Sequence, residues 1–218
     1  MDPAAFANAF RERRASAIIR TDSTDAARLA MDAAVRGGLT ICEFTLTVPG
    51  ALDLVGEFRK RGEKEGLLVG VGTVLTPEDA VRSVDAGAQF LVSPAMDPAV
   101  IAAAGRLGVS MMPGCATPSE MLAAHRAGAR LQKLFPAVPN GPSWVAQTLA
   151  PLSMLRIVPT SGVTVENAAD YLRAGAWAVG FVASLFEASD VRHARWDAIE
   201  ARARAAAAAV GGVELPVR

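Results

Sequence analysis

The sequence is poor in the residues that build metal clusters and disulfide frameworks. Its 218 residues include two histidines and two cysteines, Cys42 and Cys115. This supply excludes a metal cluster rich in His and Cys, although a site built from carboxylates stays possible. Two cysteines do not make a disulfide scaffold in a chain of this length, so we expect a reducing, cytoplasmic compartment.

Long apolar runs and an excess of either charge are also missing. No run of 18 apolar residues occurs, which argues against a transmembrane helix, and residues 1–14 mix acids and bases, unlike a secretory signal. Lys and Arg together number 22, as do Asp and Glu, so the formal net charge is zero. Nucleic-acid binders carry a basic excess that this chain lacks. We therefore expect neither a membrane nor a nucleic acid as a partner.

The chain instead alternates strand-like and helix-like segments. Runs rich in Val, Ile, Leu and Phe predict strands, and Ala-rich amphipathic runs of about ten residues separate them, as βαβ units require. Thr76-Pro77 and Thr117-Pro118 predict helix starts, and the Gly-containing run 173–176 predicts a helix end. The predicted strands are 17–20, 41–46, 67–74, 89–94, 108–114, 130–137, 156–162 and 177–184.

Eight strand–helix repeats favour an α/β protein with one (β/α)8 TIM barrel over residues 1–218. An additional N-terminal helix is expected over residues 3–14. A doubly wound open sheet has the same local pattern and is the alternative architecture. In a barrel, the active site is expected at the C-terminal ends of the strands.

One lysine and one carboxylate stand out inside the predicted strands. The strands of a parallel barrel are covered on both faces, so a charged residue within one needs a reason. Only three residues are lysine; two fall in a solvated helix end, and Lys133 falls in the apolar strand 130–137. Glu43 is the corresponding carboxylate in strand 41–46, and alternation along that strand points its side chain into the barrel.

This pair of side chains predicts carbonyl chemistry. Apolar neighbours disfavour the ammonium form of a lysine, so the pKa of Lys133 should fall. A neutral amine can attack a ketone and form a Schiff base, and Glu43 could move protons directly or through a water. The alternative is a buried Lys133–Glu43 ion pair that only fixes the fold.

Small residues follow the last two predicted strands. Residues 160–163 and 182–185 could offer backbone N–H groups at helix N-termini, where barrels often hold a phosphate. Small residues are common at strand ends, so an ordinary turn is the alternative interpretation of both segments.

Five segments together resemble a known enzyme family. They lie in the order and spacing of the aldolases for 2-keto-3-deoxy-6-phosphogluconate (KDPG), 4-hydroxy-2-oxoglutarate (KHG) and 2-keto-3-deoxy-6-phosphogalactonate (KDPGal), over about residues 15–186. The resemblance implies a class I aldolase barrel, usually trimeric, that needs no metal and no cofactor. The segments are EFTL at 43–46, GVGTVL at 70–75, PGCAT at 113–117, KLFPA at 133–137 and PTSGV at 159–163.

The resemblance also implies roles for individual residues. Lys133 matches the Schiff-base lysine, and Glu43 matches the general acid/base. A 2-keto-3-deoxy sugar acid or KHG would be cleaved to pyruvate and an aldehyde. The matches to the keto-acid pocket are Thr73, Pro94, Phe135 and Thr160, and those to the phosphate site are Ser161, Gly162 and Ser184.

Two features depart from the family pattern. KDPG aldolases typically have an arginine after the E-x-T-L motif, where this chain has Thr47, which we expect, like Arg20, to be among the substrate-binding residues. Arg20, at the end of the first strand, resembles an arginine of the galactonate branch and would take over carboxylate binding. Ser161 and Ala183 stand at places where the family usually has glycine, which narrows the phosphate end and leaves the phosphorylation of the substrate open.

Two other functions are compatible with the sequence. The first keeps the lysine imine but uses it for β-decarboxylation of oxaloacetate. The second is a sugar-phosphate-binding barrel without catalysis, against which the intact pair of Glu43 and Lys133 argues.

Overall fold

Parallel strands and helices alternate along the chain in the computed structural model, which describes residues 1–216. Within that range, helices α1 to α10 are Pro3–Arg13, Thr24–Arg36, Ala51–Glu65, Pro77–Asp85, Pro98–Arg106, Pro118–Arg126, Gly141–Leu149, Ala168–Arg173, Ala188–Arg192 and Trp196–Gly211. Strands β1 to β9 are Ala15–Ile19, Ile41–Thr45, Leu68–Gly72, Phe90–Val92, Ser110–Met112, Gly114–Cys115, Gln132–Leu134, Ile157–Pro159 and Val179–Phe181. The last two residues of the predicted 1–218 domain lie outside the described residues.

The strands form a six-stranded sheet in the order β5-β4-β3-β2-β1-β9 and a three-stranded sheet in the order β6-β7-β8. The pairings are parallel, and β1 pairs with β9 so that Ala15 lies opposite Val179. A doubly wound sheet reverses its strand order at a switch point. This sheet follows chain order and then joins its last strand to its first, so the doubly wound alternative is wrong. The parallel α/β architecture is confirmed.

The segment predicted as one strand at 108–114 is divided by Pro113 into β5 and β6. Proline has no backbone N–H to donate to a neighbouring strand. Strand β5 pairs with β4, whereas β6 pairs with β7. At Gly114 a Cβ would collide with the backbone of Pro94, so only glycine fits this crossing point. The chain therefore passes from one sheet to the other within a single extended run.

Helix α1 covers the amino-terminal ends of the strands and is one residue shorter than the predicted 3–14. The Asp2 carboxylate caps its first turn by accepting two backbone N–H bonds of 3.0 Å. Phe6 and Phe10 are fully buried, and the Phe6 ring stacks on Phe90 with 4.4 Å between ring centroids. Each buried phenylalanine contributes about 1.5–3 kcal/mol. The interior is thus closed by apolar side chains at this end, and the polar site lies at the other.

As predicted, threonines cap the helices that follow strands β3 and β6. The Thr76 side chain accepts the Asp79 N–H at the start of α4. At the start of α6, Thr117 and Glu120 form a reciprocal capping box. These caps fix the points where the chain leaves the carboxyl-terminal ends of the strands. Nowhere in residues 1–216 does a helix combine the length and apolarity needed to cross a bilayer.

Candidate active site

A cavity of about 320 Å³ lies at the carboxyl-terminal ends of the strands. It is bordered by side chains from β1, β2 and β7 and by the segments that follow β3, β4, β8 and β9. Every predicted site residue except Thr47 lines it. Those residues are Arg20, Glu43, Thr73, Pro94, Lys133, Phe135, Thr160, Ser161, Gly162 and Ser184.

Lys133 occupies the middle of the short strand β7, between Gly114 of β6 and Val158 of β8. Its side chain is 9% exposed, and its Nζ lies 5.2 Å from the centroid of the Phe135 ring. Burial lowers the pKa of the Lys133 ammonium group, the charge of Glu43 opposes that fall, and the charge of Arg20 adds to it. The predicted fall is therefore confirmed, and it favours the neutral, nucleophilic amine.

Glu43 is buried on β2 and is 1% exposed. Within residues 1–216 neither of its carboxylate oxygens has a hydrogen-bond partner. Burial raises the pKa of Glu43, while the charges of Lys133 and Arg20 act in the opposite direction. The neighbouring strand makes room for the carboxylate at Gly72, where a Cβ would collide with Oε1. The sequence therefore buries a carboxyl group that is free to exchange a proton with a molecule in the cavity.

Lys133 and Glu43 line the same cavity without forming an ion pair; among the described residues, neither takes part in one. The described residues therefore lack the direct Lys133–Glu43 contact on which the alternative of a structural ion pair depends. Burial lowers the pKa of Lys133 and raises that of Glu43, so it drives the two pKa values towards each other. Titratable groups perturbed in this way within a cleft are typical of a nucleophile and a general acid/base.

Arg20 and Thr73 meet at the mouth of the cavity. Arg20 directly follows β1 and is exposed, and its Nη2 donates to Thr73 Oγ1 across 3.4 Å. Thr73 has a φ of +62°, in the left-handed region that a β-branched residue rarely adopts. Such a conformation costs about 1–3 kcal/mol and is typical of functional sites. The strained turn after β3 thus holds the Thr73 hydroxyl beside the arginine.

Thr47 lies beside the cavity and not in its lining. Thr45 Oγ1 donates to the Ile19 carbonyl across 3.1 Å, so the 2.8 Å contact between the two threonine hydroxyls is donated by Thr47. Thr45, to which no role was assigned from the sequence, is buried and does line the cavity. The signal was present in the alternation of the strand, which puts Thr45 on the same face as Glu43.

The two small-residue segments are tied to each other at the far end of the cavity. Ser184 Oγ donates to the Val163 carbonyl across 2.6 Å. Gly162 has a φ of +70° and its carbonyl accepts from Asn167 Nδ2 across 2.8 Å, while Asn167 Oδ1 accepts the Thr164 N–H across 2.8 Å. Sequence reasoning missed Asn167; an asparagine just before helix α8 was the available signal. These bonds fix the loop and occupy the Ser184 hydroxyl.

Other reactive groups near the cavity do not compete with Lys133. Burial raises the pKa of the Cys115 thiol to about 12, and burial does the same for Cys42. Both thiols are therefore protonated and unreactive at neutral pH. Within residues 1–216, no group of three or more His, Cys, Asp or Glu side chains is placed to hold a metal ion.

Fold and site together define the class: a parallel α/β protein with a buried lysine and a buried carboxyl group in one cavity at the carboxyl-terminal ends of its strands. The family model described as KDPG and KHG aldolase matches residues 6–202. The chain belongs to this family and is a carbon–carbon lyase. The resemblance found in the motifs is confirmed, and the match extends beyond residues 15–186 at both ends.

Individual relatives agree with this assignment. A probable 2-dehydro-3-deoxy-6-phosphogalactonate aldolase of Rhizobium meliloti (strain 1021) is 38% identical over 186 residues, covering 83% of this chain and 87% of that protein. A 2-dehydro-3-deoxy-phosphogluconate aldolase of Pseudomonas aeruginosa is 36% identical over 163 residues, covering 74% of this chain and 73% of that protein. A solved structure described as native KDPGal superimposes with a TM-score of 0.80 at 30% identity, covering 89% of this chain and 93% of that one.

Proposed function

We propose that the chain is a class I aldolase that reversibly cleaves a 2-keto-3-deoxy sugar acid to pyruvate and an aldehyde. One observation carries the proposal. Lys133, whose pKa is lowered by burial, lines the same cavity as Glu43, a buried carboxyl group without a hydrogen-bond partner among residues 1–216. The named relatives act on substrates of this type, a phosphogalactonate and a phosphogluconate derivative.

The first half of the reaction forms an imine. The neutral Lys133 amine attacks the C2 keto carbon of the substrate and gives a carbinolamine. Glu43 donates its proton to the departing C2 hydroxyl, which leaves as water, and the product is a protonated imine on Lys133. The raised pKa of Glu43 suits this step because it increases the fraction of the carboxyl group that carries a proton to donate.

The second half breaks the carbon–carbon bond. The Glu43 carboxylate accepts the proton of the C4 hydroxyl as the C3–C4 bond breaks. The electron pair of that bond moves into the iminium group, leaving an enamine of pyruvate on Lys133 and a free aldehyde. Protonation of the enamine at C3 and attack of water on the imine then release pyruvate and regenerate the amine. These steps move electrons and protons only among the substrate, Lys133, Glu43 and water.

The remaining lining residues are proposed to bind the substrate. Arg20, with its positive charge at the mouth, and the hydroxyls of Thr73 and Thr160 suit a carboxylate and keto group, and Pro94 and Phe135 supply apolar walls. The Thr160 hydroxyl is buried and has no hydrogen-bond partner among residues 1–216, which supports a role in substrate binding. Thr47 is proposed to act indirectly, through its bond to Thr45.

Ser161, Gly162 and Ser184 are proposed to surround the far end of the substrate, including a phosphate if one is present. Gly162 supports this placement because it lines the cavity and has a positive φ, and a Cβ there would lie 3.2 Å from that of Ala137. The Ser184 hydroxyl already donates to Val163. We therefore assign any phosphate binding in this loop to backbone N–H groups more than to hydroxyls.

We further propose that the two sheets close into one eight-stranded (β/α)8 barrel forming a single domain over 1–218. Strands β5 and β6 join the sheets at one side. At the other, the Trp177 N–H donates to the Ile157 carbonyl across 2.8 Å, just before β9. The family resemblance also underlies our proposal of a cytoplasmic homotrimer. Light scattering at micromolar concentration tests the oligomer, and a monomeric mass would refute it.

Borohydride trapping tests the proposed function directly. Reduction in the presence of pyruvate should add one pyruvate-sized group to Lys133, located by peptide mass spectrometry. Lys133→Ala and Lys133→Arg should give no adduct and no turnover, because neither side chain forms an imine. Lys64→Ala, a surface control, should label normally. Absence of an adduct in the unsubstituted protein, or persistence of the adduct in Lys133→Ala, would exclude the mechanism.

A substrate panel separates the aldolase from its alternatives. Phosphorylated and unphosphorylated 2-keto-3-deoxy sugar acids, 4-hydroxy-2-oxoglutarate and oxaloacetate should be assayed for pyruvate release. We expect kcat/KM to be highest for a 2-keto-3-deoxy sugar acid. A preference for oxaloacetate would replace aldol cleavage with decarboxylation, and saturable binding without an imine would indicate a non-catalytic binder.

A further inference from the structure

A second cavity, of about 550 Å³, lies at the amino-terminal ends of the strands, opposite the proposed active site. Three of its lining residues lie one or two positions before the first residue of a strand: Arg130 before β7, Arg156 before β8 and Trp177 before β9. The wall also includes the side chains of His125, Ser153, Met154 and Leu155. We call it the basal cavity. The proposed aldolase reaction uses none of these residues.

The guanidinium of Arg156 is held in position within the basal cavity. It lies 4.5 Å from the centroid of the Trp177 indole. The indole is itself fixed, because its Nε1 donates to the Ala7 carbonyl of helix α1 across 2.7 Å. A guanidinium stacked on a fixed ring loses little further freedom when its N–H donors bind a ligand.

In the part of the chain that the structure describes, no acid forms an ion pair with the two arginines of the basal cavity. Among residues 1–216, the guanidinium groups of Arg130 and Arg156 take part in no ion pair, whereas Arg28, Arg36 and Arg61 each pair with a carboxylate. Burial lowers the pKa of Arg156, and the charge of Arg130 lowers it further. Two like charges thus repel each other at the same cavity, and an anion bound between them would remove that repulsion.

We propose that the basal cavity binds a small organic phosphate, with Arg130 and Arg156 as its principal ligands. Planar guanidinium groups match the oxygens of phosphate in a two-pronged geometry, and two of them match its double charge. Ser153 adds a hydroxyl donor and His125 a ring nitrogen. Met154, 48% exposed, offers an apolar wall for the organic part. The volume falls in the range of about 300–1,000 Å³ typical of small-molecule sites.

The basal cavity is distinct from the proposed phosphate end of the active site. Arg130 lies three residues before Lys133 on the same extended segment, about 10 Å along it at 3.3 Å per residue. The apolar cluster around Phe6, Phe10 and Phe90 fills the interior at the amino-terminal ends of the strands. A ligand in the basal cavity therefore does not contact a substrate bound at Lys133, and the proposal does not depend on the aldolase reaction.

Isothermal titration of pyrophosphate into the full-length protein tests the site. Arg130→Gln and Arg156→Gln should each weaken binding by about tenfold or more, since each removes charge-assisted bonds. Arg126→Gln is the matched control: it deletes the same charge from an exposed arginine nearby that does not line the cavity, and should leave affinity within about twofold. Arg156→Lys keeps the charge but loses the planar guanidinium group, so its affinity for pyrophosphate should lie between those of the wild type and Arg156→Gln.

Two further measurements make the result decisive. Arg20→Gln at the active site should leave pyrophosphate binding unchanged. Loss of all binding in Arg20→Gln would overturn the proposal, and so would unchanged affinity in both Arg130→Gln and Arg156→Gln. Succinate binding as tightly as pyrophosphate through the same arginines would overturn the assignment to phosphate. Arg130 is exposed, so Arg130→Gln should fold, which pyruvate trapping at Lys133 and circular dichroism can verify.

Discussion

The Glu43 carboxylate lies directly against Gly72 on the adjacent strand, where any Cβ would overlap its Oε1. Gly72 is the last residue of β3 and lies opposite Thr45, two residues beyond Glu43 on β2. The absence of a side chain at position 72 therefore leaves the space that the Glu43 carboxylate occupies.

Gly72→Ala should displace the carboxylate and impair the enzyme. We expect kcat to fall about 100-fold, as displacement of a catalytic group by about 1 Å does. Overpacking should also lower the free energy of unfolding by about 1–3 kcal/mol. Kinetic assays and urea denaturation measure both effects. Gly105→Ala is the control: apart from its chain neighbours and its own helix backbone, a Cβ there would meet no atom within 4 Å. Alanine's higher helix propensity should therefore raise the free energy of unfolding by about 0.5–1 kcal/mol, with kcat unchanged. Normal kcat in Gly72→Ala would contradict the role given to this contact.

Glu43→Gln should change the pH dependence of stability. Because burial raises the pKa of Glu43, the native state keeps a proton that the unfolded chain loses above about pH 4. The stability contributed by this carboxyl is complete below that pH and is lost as pH rises through the raised native pKa. Glutamine does not titrate, so the Tm of Glu43→Gln relative to wild type should increase from about pH 4 towards neutrality.

Thermal unfolding between about pH 4 and 8 measures this difference. Glu63→Gln, at an exposed surface pair with Arg59, should show no comparable trend. Glu43→Gln should also reduce kcat by about 10²–10⁴-fold, because it removes the general acid/base. A Tm difference independent of pH would show that Glu43 does not titrate as the structure indicates.

Thr73→Gly should separate stability from activity. Glycine accepts a φ of +62° without strain, so the free energy of unfolding should rise by about 1 kcal/mol after the greater chain entropy of glycine is subtracted. The hydroxyl that accepts from Arg20 is lost, so KM should rise. Asn140→Gly, also in the left-handed region but outside the cavity lining, is the control and should keep KM unchanged. Denaturant titration and steady-state kinetics report the two quantities, and a destabilised Thr73→Gly would contradict the strain argument.

Arg20→Gln should weaken substrate binding more than it slows chemistry. A charge-assisted bond to a carboxylate contributes about 1.5–3 kcal/mol, which corresponds to a rise in KM of about tenfold to a hundredfold. We expect kcat to change less than KM. Arg36→Gln, which removes a surface arginine paired with Glu200, should leave KM unchanged. An unaltered KM in Arg20→Gln would mean that another residue holds the carboxylate.

The sequence was sufficient to predict the strand–helix alternation and the two central side chains. Apolar runs, threonine caps and glycine ends are local signals, because each depends on a few neighbouring residues. Lys133 and Glu43 were predictable for the same reason: charged residues are out of place in apolar strands, and strand alternation gives the face on which they lie. The motifs around them were enough to indicate the family.

Distances across the interior were decided only by the tertiary structure. Alternation places Glu43, Thr45 and Thr47 on one face of β2, but only the packing puts Thr45 in the cavity and Thr47 outside it. The missing ion pair between Lys133 and Glu43 depends on how far apart β2 and β7 are held, and no local pattern encodes that separation. The basal cavity likewise exists because strands distant in sequence bring Arg130, Arg156 and Trp177 together. Local sequence determines which groups are available and where they point; the packing of the sheets determines which of them meet.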